Sequence, residues 1–146
     1  MTDRVPDSLR EIVERFAAGS ERLRRQGLLQ YGDRLPDLPE RLREDRAGLE
    51  QVHECQTPFF LHVDLEEDGT VRLHFDAPRE SPTVRGYAGI LHAGLDGRSA
   101  GEILAVPDDF YREMGLEEVV SSLRLRGMGA IVARLKEQVR RRAEAA

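Results

Sequence analysis

Between Phe59 and Phe75 the chain alternates apolar and polar residues twice, and this pattern restricts the available folds more than any other stretch. Phe59, Leu61, Val63 and Leu65 alternate with Phe60, His62 and Asp64; Val71, Leu73 and Phe75 alternate with Arg72, His74 and Asp76. A period of two puts successive side chains on opposite faces of a strand. Glu66-Glu67-Asp68-Gly69 lies between the two runs and reads as a hairpin turn, with glycine where positive φ is needed. Gln51-Val52-His53 supplies a third, short edge strand. Three strands with one apolar face need a cover, and the flanking segments are helical. The expected class is α+β: a small antiparallel sheet of about three strands backed by helices.

Before the hairpin, Ser8 and Glu11 fit a capping box, and Leu9, Ile12, Val13 and Phe16 follow at helical spacing. Gly19-Ser20 interrupts. A second helix is predicted over 21–31, with Leu23, Gly27, Leu28 and Tyr31 on one stripe and Gly32 as its stop. Pro36 and Pro39 prevent a continuous helix in the next segment, because proline lacks the amide donor. Leu35, Leu38 and Leu42 pin that segment to the body. After the hairpin, Ser81 and Pro82 open a helix whose face is Val84, Tyr87, Ala88 and Leu91. Gly86, Gly89 and Gly94 each weaken it by roughly 1 kcal/mol relative to alanine, so they predict close approach of another backbone. Ser99 and Glu102 form a second capping box, and a further turn or two runs from Asp108 to Gly115. Ser121-Ser122 cap a long terminal helix with Leu125, Met128, Val132, Leu135 and Val139 on its buried stripe. Its outer face is rich in arginine, and residues 140–146 are expected to fray.

At 146 residues the chain is expected to be one domain, 1–146, with a core of its own. It has one cysteine, Cys55, which excludes an internal disulfide framework. The N-terminal residues contain no apolar run of signal-peptide length, and no stretch approaches the roughly 20 apolar residues of a membrane span. The expectation is a soluble cytoplasmic protein. A net charge of −5 argues against nucleic acid as the main partner, since phosphate binding needs a basic footprint.

Cys55 lies in LEQVHECQTPFF, where helical patterning gives way to strand patterning, and is therefore expected on a turn or loop. Free cysteine also serves as a small buried hydrophobe. The polar neighbours His53, Glu54, Gln56 and Thr57 favour the loop. If the segment is extended, His53 points to the same side as Cys55, which makes a Cys–His nucleophile an alternative. Metal binding is not expected: His53, His62, His74 and His92 fall on different predicted elements, and zinc needs at least three protein ligands. His62 and His74 are expected exposed on the polar face of the hairpin, and His92 at the surface or partly buried on its helix.

The ordered combination RLPDLP, VHECQTP, SPTVRGYAGIL and SSLRLRGMGAIVARLK resembles the SufE family of sulfur-acceptor proteins in iron–sulfur cluster assembly, over about residues 9–136. The resemblance implies a SufE/IscU-like fold with a small curved sheet. It implies that Cys55, matching the acceptor cysteine of a V-x-G-C-x-S pattern, takes persulfide sulfur from a PLP-dependent cysteine desulfurase of the SufS kind, stimulating it. The sulfur then passes to a scaffold complex of the SufBCD type. The protein is then a sulfur-transfer partner rather than a stand-alone enzyme, monomeric or dimeric. PLP stays on the desulfurase and no cofactor is bound here. Arg124 matches a family arginine at the start of the terminal helix and is implied to stabilise a thiolate or persulfide anion. A solvent-facing role is its alternative. Thr57 replaces the family's serine, and Glu54 stands where glycine is common. A carboxylate there raises the thiol pKa, and loss of glycine stiffens the loop. Pro58 and Phe59 also differ from the typical flanks. Two further readings remain: a module that activates a desulfurase with Cys55 dispensable, and a Cys55–His53 thiol enzyme. A final expectation is that the thiol rests tucked over apolar residues and swings out on docking.

Overall fold

Three helices lead in: α1 (Asp7–Ala18), α2 (Glu21–Arg34) and the short α3 (Glu40–Glu44). These come from a computed structural model that describes residues 4–146, so the first three residues of the expected domain lie outside it. Strands β1 (Glu50–Gln51), β2 (Phe60–Leu65) and β3 (Val71–Asp76) form an open antiparallel sheet in the order β1-β2-β3. Helices α4 (Pro82–Leu95) and α5 (Ala100–Leu104) follow. Two 3-10 turns (Phe110–Met114 and Leu116–Glu118) then lead to the long α6 (Ser122–Ala145). The class is α+β.

The hairpin has the register its alternation requires. Leu61 faces Phe75, Val63 faces Leu73 and Leu65 faces Val71. All of these but Leu65 are buried against the helices. Gly69 takes φ +89°, and its N–H donates to the Glu66 carbonyl at 3.0 Å, closing the turn. The opposite face is less open than the alternation predicts. Phe60–Asp76, His62–His74 and Asp64–Arg72 pair there, but α3 and the Arg46–Gly48 turn cover one end. His62 is only 9% exposed, with Nδ1 2.9 Å from the Gly48 carbonyl and Nε2 2.9 Å from Asp64. His74 Nε2 lies 3.0 Å from the same carboxylate, which also pairs with Arg41 of α3. The expected exposure of His62 and His74 is therefore corrected: a carboxylate between two histidines, paired with Arg41 of α3, makes this a satisfied network with His62 buried and His74 partly covered. His92 is partly buried on α4, as expected.

Helix α4 is the spine of the helical layer. A Cβ on Gly86 or Gly89 would collide with the backbone carbonyls of Leu28 and Tyr31 in α2. One on Gly94 would lie 2.7 Å from the Leu9 side chain of α1. The three glycines thus do what their helical setting predicts. Gly32 has the same role from the α2 side and lies inside that helix, which continues to Arg34; it is not the stop. Leu23, expected on the buried stripe, is 58% exposed.

The two expected capping boxes part ways. Ser99 and Glu102 form one in full. Ser8 does not cap α1, whose first residue follows Pro6; its hydroxyl instead donates to the Gly94 carbonyl at 2.6 Å and accepts from Arg98. Ser81 likewise precedes α4 without a side-chain cap bond, while Pro82 holds the first turn.

Helix α6 lies across β2 and completes the sheet. The edge strand is short and begins one residue earlier than predicted, pairing Glu50 with Leu61 and Gln51 with Phe60. Past Leu61 the outer edge of β2 has no strand partner among the described residues, and α6 side chains take over. Gln138, 6% exposed, accepts the Val63 N–H at 3.0 Å, and Arg142 donates to the Val63 carbonyl at 3.1 Å. Arg142 belongs to the tail expected to fray, yet α6 is helical through Ala145. Replacing Gln138 by leucine leaves a buried amide unpaired, at a cost of about 1–3 kcal/mol. The expected thermal unfolding midpoint falls by on the order of 5 °C for a chain of this size. An unchanged melt would show that the edge of β2 does not need this side chain.

Candidate functional site

Cys55 lies at the tip of the hairpin joining β1 to β2. Val52 and Phe59 are fully buried and anchor the two ends, and the Val52 N–H donates to the Phe59 carbonyl at 2.9 Å. Beyond this neck, residues 53–58 are too short a stretch to form an element of their own. The Cys55 N–H turns back to the Val52 carbonyl at 3.2 Å, so the segment is a tight turn rather than extended chain. That removes the condition on which the Cys–His alternative rests. His53 is exposed and makes no hydrogen bond to Cys55.

The loop leans on α6, and Gly127 makes the contact possible. A Cβ there would come 3.3 Å from Cys55 Sγ, and the thiol points at the Gly127 carbonyl at 3.8 Å, a weak S–H···O contact. Cys55 is partly buried against the core. Burial pushes its thiol up to about 11, and the neighbouring Glu54 carboxylate pushes the same way. The α6 N-terminus does not counter this. The Arg124 N–H is taken by the Ser121 hydroxyl at 3.3 Å, and what faces the sulfur is a carbonyl. Arg124 stands three residues before Gly127, on the same face of α6. Its side chain is exposed and forms no ion pair among the described residues. The structure therefore brings Cys55 and the Arg124 turn of α6 together but leaves His53 outside. Thr57 Oγ1, in the same loop, is buried without a hydrogen-bond partner among the described residues.

Sequence reasoning misses the groups that hold the loop down. Arg134 of α6 donates through Nε and Nη2 to Glu54 at 3.0–3.1 Å and through Nη1 to Glu50 at 3.0 Å. Gln138 Nε2 donates to the other Glu50 oxygen at 2.7 Å. Glu54 is held below its usual carboxylate range, first by the Arg134 hydrogen bonds. Gly127 was findable, since a glycine within a helical stripe is the signal that worked for Gly86 and Gly89. Arg134 was not, because nothing in the sequence ties it to a glutamate 80 positions earlier. Among the described residues, no group of three or more His, Cys, Asp or Glu side chains converges to hold a metal ion. No helix there is long and apolar enough to cross a membrane.

Fold and site together define a class: an α+β domain that carries one thiol on a hairpin tip, packed against its terminal helix. The family model of SufE, an Fe-S metabolism associated domain, matches residues 10–139, and the chain belongs to the SufE family. An uncharacterized SufE-like protein of Mycobacterium tuberculosis is 51% identical over 138 residues, 93% of this chain and 94% of its own. The sulfur acceptor protein CsdE of Escherichia coli is 30% identical over 105 residues, 71% of this chain and 68% of its own. The solution structure of a hypothetical protein from Thermus thermophilus superposes with a TM-score of 0.86 at 46% identity, covering 96% of this chain and 98% of that one.

Proposed function

We propose that the protein is a sulfur acceptor in Fe–S metabolism, with Cys55 as the residue that carries the sulfur. The observation that carries this reading is the position of the sole cysteine, on a hairpin tip closed at its neck by buried residues. The donor is the persulfide of a PLP-dependent cysteine desulfurase of the SufS kind. The Cys55 thiolate attacks the outer sulfur, the donor S–S bond breaks, and the donor cysteine leaves as a thiolate. Cys55 then bears the persulfide, and the same exchange in reverse sense delivers the sulfur to a scaffold of the SufBCD type. PLP remains on the desulfurase throughout. Arg124, exposed on the adjoining turn of α6, supplies a cation for the persulfide once the loop has moved out. The relationship to CsdE supports this chemistry.

The test is to incubate the protein with a desulfurase, PLP and cysteine and weigh the intact chain. One added sulfur on wild type and none on Cys55→Ser is the expected result. One observation favours a second reading, a desulfurase activator in which Cys55 is dispensable: at rest the thiol is partly buried and held protonated. Stimulation of the desulfurase by Cys55→Ser at the wild-type level, with no sulfur on wild type, would select that reading.

A further inference from the structure

We propose that Arg134 is the positioning residue for Cys55, holding the hairpin tip shut through Glu54 while anchored on Glu50. The inference rests on the sulfur-acceptor reading for its purpose, but not for its geometry. Arg134 engages two carboxylates that differ in what fixes them. Glu50 belongs to β1, paired with Leu61 and bonded by Gln138. Glu54 belongs to the loop, and Arg134 is its one side-chain hydrogen-bond partner among the described residues, through a fork in which Nη2 reaches both its oxygens. Loss of the Glu54 pair therefore leaves the guanidinium still compensated by Glu50, and frees only the thiol-bearing turn.

Besides the clamp, the tip is held by the packing of the partly buried Cys55 against the core and by weak contacts. The tip is tied to α6 by the 3.8 Å thiol–carbonyl contact, and its own bond from Cys55 N–H to Val52 stays within the loop. Thr57 Oγ1 is buried with no hydrogen-bond partner among the described residues, so opening exposes that hydroxyl to solvent. The neck at Val52 and Phe59 is buried and does not move with it. The clamp lies at the surface, with Glu54 and Arg134 side chains 43% and 31% exposed, where a docking partner reaches it. In this state the thiol faces a carbonyl and an extra carboxylate. In the open state it meets solvent and the Arg124 turn.

Iodoacetamide labelling of Cys55 in the full-length chain as a function of pH reads the closed fraction without any desulfurase. The clamp predicts that Arg134→Gln labels about fivefold faster than wild type, the scale of a forked, partly exposed ion pair. Its pH midpoint should move down. A purely electrostatic role predicts the opposite sign, because removing the cation leaves Glu54 uncompensated beside the thiol and slows labelling. Glu54→Gln should label faster, and Arg134→Gln added to it should change nothing further. Arg134→Lys, which keeps the charge but loses the fork, should fall between. Slower or unchanged labelling of Arg134→Gln, or a full additional gain in the double variant, overturns the proposal. Should Arg134→Gln fail to fold, salt decides instead: 1 M salt must accelerate wild type and leave Glu54→Gln unaffected. Sulfur loading from a desulfurase is scored separately, so labelling that responds while Cys55 never gains sulfur leaves the clamp standing and removes the acceptor reading.

Discussion

Gly89→Ala is expected to destabilise the protein by about 3–5 kcal/mol, near the upper end of what a single substitution does. The added methyl would overlap the Tyr31 carbonyl of α2, and that carbonyl belongs to a helix rather than to a side chain that turns aside. Only separation of α2 from α4 relieves the overlap. Separation in turn opens space along a contact that includes Leu28 and Tyr31 of α2, both buried. For a chain of this size the unfolding midpoint should fall by on the order of 10 °C. Gly101→Ala is the control. Gly101 lies in α5 with nothing within 4 Å of its Cβ position, so the same change there should stabilise by about 0.5 kcal/mol through helix propensity. Equal melting temperatures for the two variants would show that the α2–α4 approach yields without loss, and that the glycines are incidental.

The same helices show which parts of the molecule are legible in the sequence. Gly86 and Gly89 are poor helix residues within a strongly apolar stripe, and only a neighbouring backbone makes sense of them. The hairpin is legible because its period of two, its Gly69 turn and its register all state the same pairing. Capping is legible only where the local bond faces no competitor. The Ser99 hydroxyl bonds to Glu102, its local partner, whereas Ser8 meets the Gly94 carbonyl and Arg98 from the far end of α4. His62 misleads for a similar reason. Its alternation is correct, but the cover over it comes from α3 and Gly48, whose placement depends on the whole fold. At the site, Cys55 is legible because it stands alone among polar neighbours at a change of periodicity. Glu54 is legible as a departure from the family pattern, and its effect on the thiol has the expected direction. Its other consequence, a fork from Arg134, is a contact between distant segments, and among 22 Lys and Arg residues no local feature marks that one.

Cys55→Ser is expected to abolish sulfur uptake entirely while leaving the fold intact, and these two halves have separate physical grounds. The nucleophile in persulfide exchange is the thiolate, and a serine hydroxyl neither ionises comparably nor forms the S–S bond that stores the transferred atom. No residual transfer is available elsewhere, because the chain has no other cysteine. Structurally little is lost. The sulfur makes one 3.8 Å contact with the Gly127 carbonyl, which a serine hydroxyl can also approach as a donor, so the stability change should stay within about 1 kcal/mol. The pH dependence of uptake then separates the resting thiol from the docked one. With the thiol pushed up to about 11 by burial and by Glu54, the thiolate fraction at rest rises about tenfold per pH unit through the neutral and mildly alkaline range. Uptake from a small soluble persulfide should follow that slope. Uptake from a docked desulfurase should start higher and level off above about pH 9, because release of the tip returns the thiol to solvent and toward its ordinary range, whereas uptake from the small donor keeps rising toward about pH 11. Profiles that for both donors keep rising past about pH 9 without levelling off would mean that docking leaves the loop closed, and sulfur would then have to reach Cys55 where it lies against α6.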